Sequence, residues 1–200
     1  MIKRTLMLAV SLGLSACSSP VTHYYTLQDT APSAPAQSVN APFQFEMLAV
    51  RMPVQVDQPQ LVVRQDRGNL AILENDRWSA PLADEFHDAL TDRLERQLGT
   101  RDLAGLPKDT QRPVLSVQTD VRRFDSLPGQ YALVDVVWSL GLRTAGQPRQ
   151  TLTCASQIRE ASGPDLSSLV VAHQRVIDTL AKQIAATARN WARGTGGCPS

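Results

Sequence analysis

Apolar and polar positions alternate along most of the C-terminal half of the chain. Over residues 113–124, Leu115, Val117 and Val121 alternate with Ser116, Gln118, Asp120 and Arg122. Over residues 131–143, Ala132, Val134, Val136, Trp138, Leu140 and Leu142 share one face, and over 149–160 Leu152, Cys154 and Ile158 do the same. A period of two with one face apolar predicts antiparallel strands that bury one side and wet the other. Pro128-Gly129 and Gly146-Gln147-Pro148 supply the turns between them.

Two segments carry the helical period instead. Leu82, Phe86, Leu90, Leu94 and Leu98 recur every four residues, beside Ala83 and Ala89. Pro81 suits the start of this helix, Asp84 and Glu85 suit the positive end of its dipole, and Gly99 suits its end. The second stripe runs through Leu166, Leu169, Val170, His173, Val176, Ile177, Leu180, Ile184, Ala188 and Trp191, and stops near Gly194. Ser162-Gly163-Pro164-Asp165 ahead of it fits a capping box.

Further strands are predicted at residues 43–53, closed by Pro53, and as a hairpin of 61–64 and 70–73 around Asp66-Arg67-Gly68-Asn69. Residues 101–112 read as a polar loop. Tyr24-Tyr25-Thr26-Leu27 is a brief β-prone run, followed by a Pro-, Ala- and Ser-rich stretch at 29–42. So long a stretch without periodicity argues against firm packing of Tyr24–Leu27, unless a family resemblance given below holds. Helices and strands with one apolar face each must bury those faces together. The expected fold is α+β, a two-layer sandwich of a mainly antiparallel sheet and two amphipathic helices.

The first twenty residues change the picture most. Lys3-Arg4 precede an apolar run from Leu6 to Leu14, and Ser15-Ala16 precede Cys17. This is the layout of a secretory signal, and the apolar run is shorter than the roughly 20 residues a membrane span needs. Leu14-Ser15-Ala16-Cys17 is similar to a bacterial lipobox, in which the cysteine is lipidated and becomes the acylated N-terminus. The alternative is an ordinary secretory signal with Cys17 incidental. The expected division is a signal peptide at 1–16, a lipidated Cys17 and tether through 42, and one domain at 43–200. With Ser and not Asp at position 18, likeness to Gram-negative lipoproteins implies sorting to the outer membrane, facing the periplasm. An ordered Tyr24 would then sit within about 25 Å of that membrane.

Composition narrows the chemistry further. Charges nearly cancel at +1 and no long basic run occurs, which speaks against nucleic acid as a partner. Besides Cys17 only Cys154 and Cys198 remain, and an even pair in an oxidising compartment points to a disulfide. The alternative is a buried Cys154 and a free Cys198. The three histidines, His23, His87 and His173, lack metal spacing, and His173 in an apolar stripe reads as a core histidine. No nucleophile elbow or P-loop occurs. The reading is therefore non-catalytic, with no metal and no cofactor beyond the covalent lipid on Cys17, palmitate among its acyl chains. A periplasmic hydrolase would require His87, His173, Ser and Asp residues to converge in a pocket.

The order of these features is itself informative: a lipobox, Tyr24-Tyr25-x-Leu27, a hairpin, and Arg77-Trp78-Ser79-Ala80-Pro81-Leu82 entering a helix with Phe86 and Leu90. Alternating strands and a long final helix follow. In this order the chain resembles the PqiC-type family of ABC-type transport auxiliary lipoproteins. The resemblance implies a non-catalytic lipoprotein serving a lipid-transport system built on an MCE-domain tunnel protein, docking that tunnel at the outer membrane. The implied cargo is phospholipid or another hydrophobic molecule. A homo-oligomer, such as a ring, would match the tunnel's symmetry. The alternative function is a scaffold lipoprotein for outer-membrane assembly or secretion, propping a β-barrel complex. For partner contact the candidates are Tyr24, Tyr25, Leu27, Trp78, Pro81 and Leu82. Trp78 is either an interface anchor or a lid over the sheet–helix seam, and the tyrosines are either an edge strand or a docking strip.

Overall fold

The apolar stripes and alternations meet in one core. A computed structural model describes residues 20–29 and 41–199; the signal segment, Cys17 and most of the proline-rich stretch lie outside the described residues. The elements are β1 (His23–Tyr25), β2 (Gln44–Arg51), β3 (Gln60–Arg64), β4 (Leu70–Trp78), α1 (Leu82–Leu98), β5 (Val114–Leu127), β6 (Tyr131–Arg143), β7 (Gln150–Ala161) and α2 (Leu166–Trp191).

The fold is α+β with mainly antiparallel pairing, and the strands divide into two sheets, ordered β2-β5-β6-β7 and β1-β4-β3. The pairings β2–β5 and β1–β4 are parallel. A parallel pair needs a long crossover, which the hairpin and α1 supply between β2 and β5. Both helices pack on one face of the four-stranded sheet and against each other. The α1 stripe of Leu82, Phe86, Leu90, Leu94 and Leu98 is at most 5% exposed. It meets Phe45, Leu115, Trp138 and Leu140 of the sheet and Val176, Leu180 and Ile184 of α2, all buried in the same cluster. Each such side chain contributes roughly 1.5–3 kcal/mol by leaving water.

Four local expectations are corrected. Strand β4 continues past Leu73 to Trp78, because β1 pairs with its polar second half in the register His23–Asp76, Tyr24–Arg77, Tyr25–Trp78. Tertiary pairing here overrides weak strand propensity. Tyr24–Leu27 is firmly packed on its inner side, with Leu27 fully buried. The cap of α2 is Asp165, which is extended and accepts from the Ser168 N–H at 2.8 Å; the Ser162 hydroxyl instead donates to the Gly163 carbonyl. Finally, a β-bulge between Val121 and Arg123 shifts the alternation of β5, returning Phe124 to the core and leaving Arg122 and Arg123 outside.

Other ends follow the sequence closely. Gly99 closes α1 with φ 68°, a left-handed conformation that favours glycine, and its N–H bonds the Glu95 carbonyl. Cys154, opposite Trp138 on the inner face of β7, is bonded to Cys198 with Cα atoms 5.4 Å apart. The tail beyond α2 is thereby tied to the sheet.

Candidate functional site

The residues nearest the proposed anchor are held by side chains from both helices. The Leu27 N–H and the Thr26 hydroxyl each donate to Glu85 Oε2 at 2.8 Å. The Ser79 hydroxyl donates to the other oxygen of the same carboxylate. Arg93 donates to the Leu27 carbonyl at 3.4 Å and to the Ala89 carbonyl at 2.8 Å. Gln174 of α2 donates to the carbonyls of Thr26 and Gln28, each at 3.1 Å. Burial is the main force lowering the Arg93 pKa, with Arg96 adding to it. On β1 the Tyr25 hydroxyl donates to Asp76 at 3.2 Å, and burial, then Asp76, raise its pKa. His23 lies 3.3 Å from the same carboxylate.

Glu85 and Arg93 did not stand out as site residues in the sequence. The signal was their spacing: Glu85 and Arg93 fall beside Phe86 and Leu94 on the apolar arc of α1, where charge is costly unless paired or hydrogen-bonded.

The residues expected to contact a partner do not form one surface. Leu27 is fully buried, Leu82 is 1% exposed and Trp78 is 5% exposed, its ring edge-on to Phe124 at 6.2 Å. Trp78 ends β4 and Leu82 begins α1, so the corner between them drives both side chains into the core. Pro81 stays exposed at that corner, Tyr25 is half-buried, and Tyr24 is 67% exposed. Of the six, Tyr24 and Pro81 are the accessible ones.

His173 and His87 do not converge. His87 lies 3.0 Å from Asp88 on the partly exposed side of α1. His173 is fully buried, stacked on Phe124 at 4.0 Å, with Nε2 2.8 Å from the Ser126 hydroxyl. Nδ1 has no hydrogen-bond partner. Burial lowers its pKa to about 3. A Ser–His nucleophile needs an acceptor orienting the second ring nitrogen and an opening for substrate. This pair has neither, since Ser126 is 4% exposed. Among the described residues, no group of three His, Cys, Asp or Glu side chains is arranged to hold a metal ion. No described helix is long and apolar enough to cross a membrane.

The strongest electrostatic feature lies where the β3–β4 hairpin meets the outer side of β5. Asp125, only 3% exposed, accepts from Arg64 Nε at 2.8 and 3.0 Å, from Tyr131 at 3.1 Å, and from Arg123. Burial pushes its pKa up, but the bonds from Arg123, Arg64 and Tyr131 outweigh that and hold it below the usual carboxylate range. The same bond raises the Arg123 pKa. Arg159 lies 4.0 Å above the Tyr131 ring. Arg64 and Arg123 line two clefts at once. One, of about 560 Å³, also presents Arg67, Gln130 and Tyr131. The other, of about 240 Å³, presents Val56, Val62 and Leu70. Nothing local in the sequence shows that the bulge and the hairpin bring these arginines together.

The model of a family described as ABC-type transport auxiliary lipoprotein component matches residues 25–185. That span opens at Tyr25 in β1 and closes within α2. No curated protein matches. A crystal structure of an uncharacterized protein has a TM-score of 0.63 at 17% identity, covering 84% of this chain and 98% of that one. The crystal structure of XCC0632 from Xanthomonas campestris, of family DUF330, has a TM-score of 0.53 at 17% identity, covering 87% and 96%. At these identities the two structures share the fold.

Proposed function

The chain belongs to the family of ABC-type transport auxiliary lipoprotein components, and from that premise we propose that it docks the periplasm-spanning tunnel of an MCE-type lipid-transport system at the outer membrane. It is anchored there through lipid on Cys17, faces the periplasm, and catalyses no reaction itself. ATP hydrolysis belongs to another subunit, and the cargo is phospholipid or another hydrophobic molecule. The observation that carries the reading is the family match over residues 25–185, which takes in the clasped Thr26 and Leu27, β2 to β7, α1 and most of α2. The clasp supports it physically. It fixes the body close to the end of the tether, where a docking element at a membrane must sit.

The partner surface includes Tyr24, whose exposed ring lies on the strand nearest the anchor. Aromatic rings are enriched at interface centres. The chain acts as a homo-oligomeric ring matched to the rotational symmetry of the tunnel.

The test is a crosslinked pull-down of the intact lipoprotein from membranes, with wild type beside Tyr24→Asp and Cys17→Ala. The expected result is recovery of an MCE-domain protein with wild type and its loss with both variants. Recovery of an outer-membrane barrel or secretion component instead replaces this reading with the scaffold role. A monomer by light scattering, both alone and in the complex, rejects the ring.

A further inference from the structure

We infer that the free edge of β7 takes up an extended segment of a partner polypeptide as an added strand, with an acidic residue of that segment beside Arg159. The inference does not rest on the tunnel-docking role, and it concerns a surface other than Tyr24.

Backbone groups come first. β7 lies at the end of the order β2-β5-β6-β7, so one of its sides has no strand beside it. The ladder fixes which residues face that side. The Ser162 N–H donates to the Gln130 carbonyl at 3.2 Å, one step beyond the Tyr131–Ala161 pair. Bonded pairs alternate along an antiparallel ladder. Cys154, Ser156 and Ile158 therefore turn their N–H and C=O groups toward β6. Thr151, Thr153, Ala155, Gln157, Arg159 and Ala161 turn theirs to the free edge, and all six residues are exposed. Two contacts agree with this parity. The Ala161 carbonyl accepts from Arg175 at 2.8 Å, and Cys198 Sγ lies 3.2 Å from the Thr153 carbonyl oxygen. Between these two contacts, the backbone groups of Ala155, Gln157 and Arg159 have no partner among the described residues. A row of open donors and acceptors at this spacing is completed by another extended backbone.

The other sheet edges are short or blunted. Along the outer side of β2 the Leu103 N–H donates to the Phe45 carbonyl at 2.9 Å, and the Met47 N–H donates to the Asp102 carboxylate at 2.8 Å. A register shift follows between Met47 and Val50. β1 has 3 residues and β3 has 5. β7 has 12, with no proline and an unbroken register along β6. Its open run from Ala155 to Arg159 has the length of an ordinary strand.

Charge then selects the partner. Arg159 lies over the Tyr131 ring at 4.0 Å, so it leans across its own sheet and leaves the edge clear. Among the described residues no carboxylate is bonded to it. Arg149, at the other end of β7, donates to the Ser116 hydroxyl at 3.1 Å. Asp135, opposite Gln157, stands opposite Arg123 on its other side. Glu160 belongs to the inner face, 3.6 Å from Arg175. A second copy of β7 would bring threonine, alanine and glutamine to these arginines and no carboxylate. A partner segment with Asp or Glu beside Arg159 supplies the missing charge, a cross-strand pair worth up to about fivefold in affinity.

The experiment is NMR of the isotope-labelled full-length lipoprotein in non-ionic detergent micelles, titrated with three synthetic peptides. The first is an alternating threonine–valine peptide with glutamate at its centre. The second has lysine in place of the glutamate. The third is the glutamate peptide with its backbone amides N-methylated. The glutamate peptide is expected to shift the amides of Ala155, Gln157 and Arg159 and to slow their hydrogen exchange by about tenfold or more at saturation. The lysine peptide is expected to bind up to about fivefold more weakly, and the methylated one not at all. Ala155→Pro removes a donor that points away from β6, so the ladder survives, and is expected to weaken the glutamate peptide by about tenfold. Arg159→Glu keeps the backbone edge and is expected to reverse the preference between the two charged peptides, which keeps the test decisive if the proline variant unfolds. Equal binding of the charged peptides by wild type overturns the inference, as does a methylated peptide that binds like its parent. So does a glutamate peptide that leaves the three amides unmoved. Amides already protected without peptide, together with a dimer by light scattering, give the edge to a second copy and overturn the partner strand.

Discussion

At the scale of single residues, the most consequential groups are polar side chains that the core encloses. His173 is buried with its pKa lowered to about 3 from 6.5. Its folded pKa lies below the unfolded one, so between the two the folded state binds fewer protons than the unfolded chain. The stability due to the neutral ring is complete above about pH 6.5 and is lost between there and pH 3. Each pH unit in that window removes about 1.4 kcal/mol. Urea unfolding of His173→Phe is expected to show a flatter profile between pH 6 and pH 4 than wild type. A parallel slope rejects this account. Asp125 acts at lower pH, since its depressed pKa makes its contribution fade below the unfolded carboxylate range of about 4. Glu85 holds three donors at once. Glu85→Ala leaves the Leu27 N–H buried without an acceptor and is expected to cost about 1–3 kcal/mol. Hydrogen exchange at the Leu27 amide should rise by about the matching factor of ten or more. Glu85→Gln, which keeps an oxygen for that N–H, should lie between. His173 was legible as a core residue because it falls in an apolar stripe. Glu85 was legible only as a favourable charge at a helix start, since its partners are distant in sequence.

At the scale of elements, amphipathic periodicity was enough to place both helices and the β5–β7 meander, because each has one face that must be dry. The alternation failed at Val121, where an inserted residue turned the strand, and no local feature of Arg122-Arg123 marks a bulge. It failed also at Glu74–Arg77 of β4, whose strand conformation is held by pairing with β1. Which strand lies beside which is a property of long-range contacts, so the split into two sheets was not legible. Cys154 and Cys198 close a loop of sequence separation 44, for which the chain-entropy account gives about 4 kcal/mol. Cys154→Ala with Cys198→Ala is expected to lower stability by up to about that amount, and mild reduction of wild type should reach the same midpoint. If reduced and oxidised protein unfold at the same denaturant concentration, the tie adds nothing.

At the scale of the whole molecule, both helices cover one side of the four-stranded sheet, and the hairpin packs against β5, adding Leu61, Val63 and Trp78 to the same core. Fold class was legible from patterning alone. Family membership was legible only through the order of several weak features, since neither a lipobox nor a Tyr-Tyr-x-Leu run identifies a transport auxiliary by itself. The cluster of Arg64, Arg67 and Arg123 near Asp125 was not legible because its members come from a turn, two different strands and a bulge. The clasp around Thr26 and Leu27 has a mechanical meaning. Tension arriving along the chain from the N-terminal side meets β1 first, three residues paired in parallel to β4. Behind it stand the Glu85 carboxylate, Gln174 and the Leu27 plug. The long strands of the larger sheet lie behind all of these. A pull would therefore peel a short ribbon and draw a peg from its socket while the rest kept its shape. In effect the protein carries a weak link at the N-terminal edge of its fold, and slack released there would lengthen the reach of that end without unfolding the larger sheet and the helices.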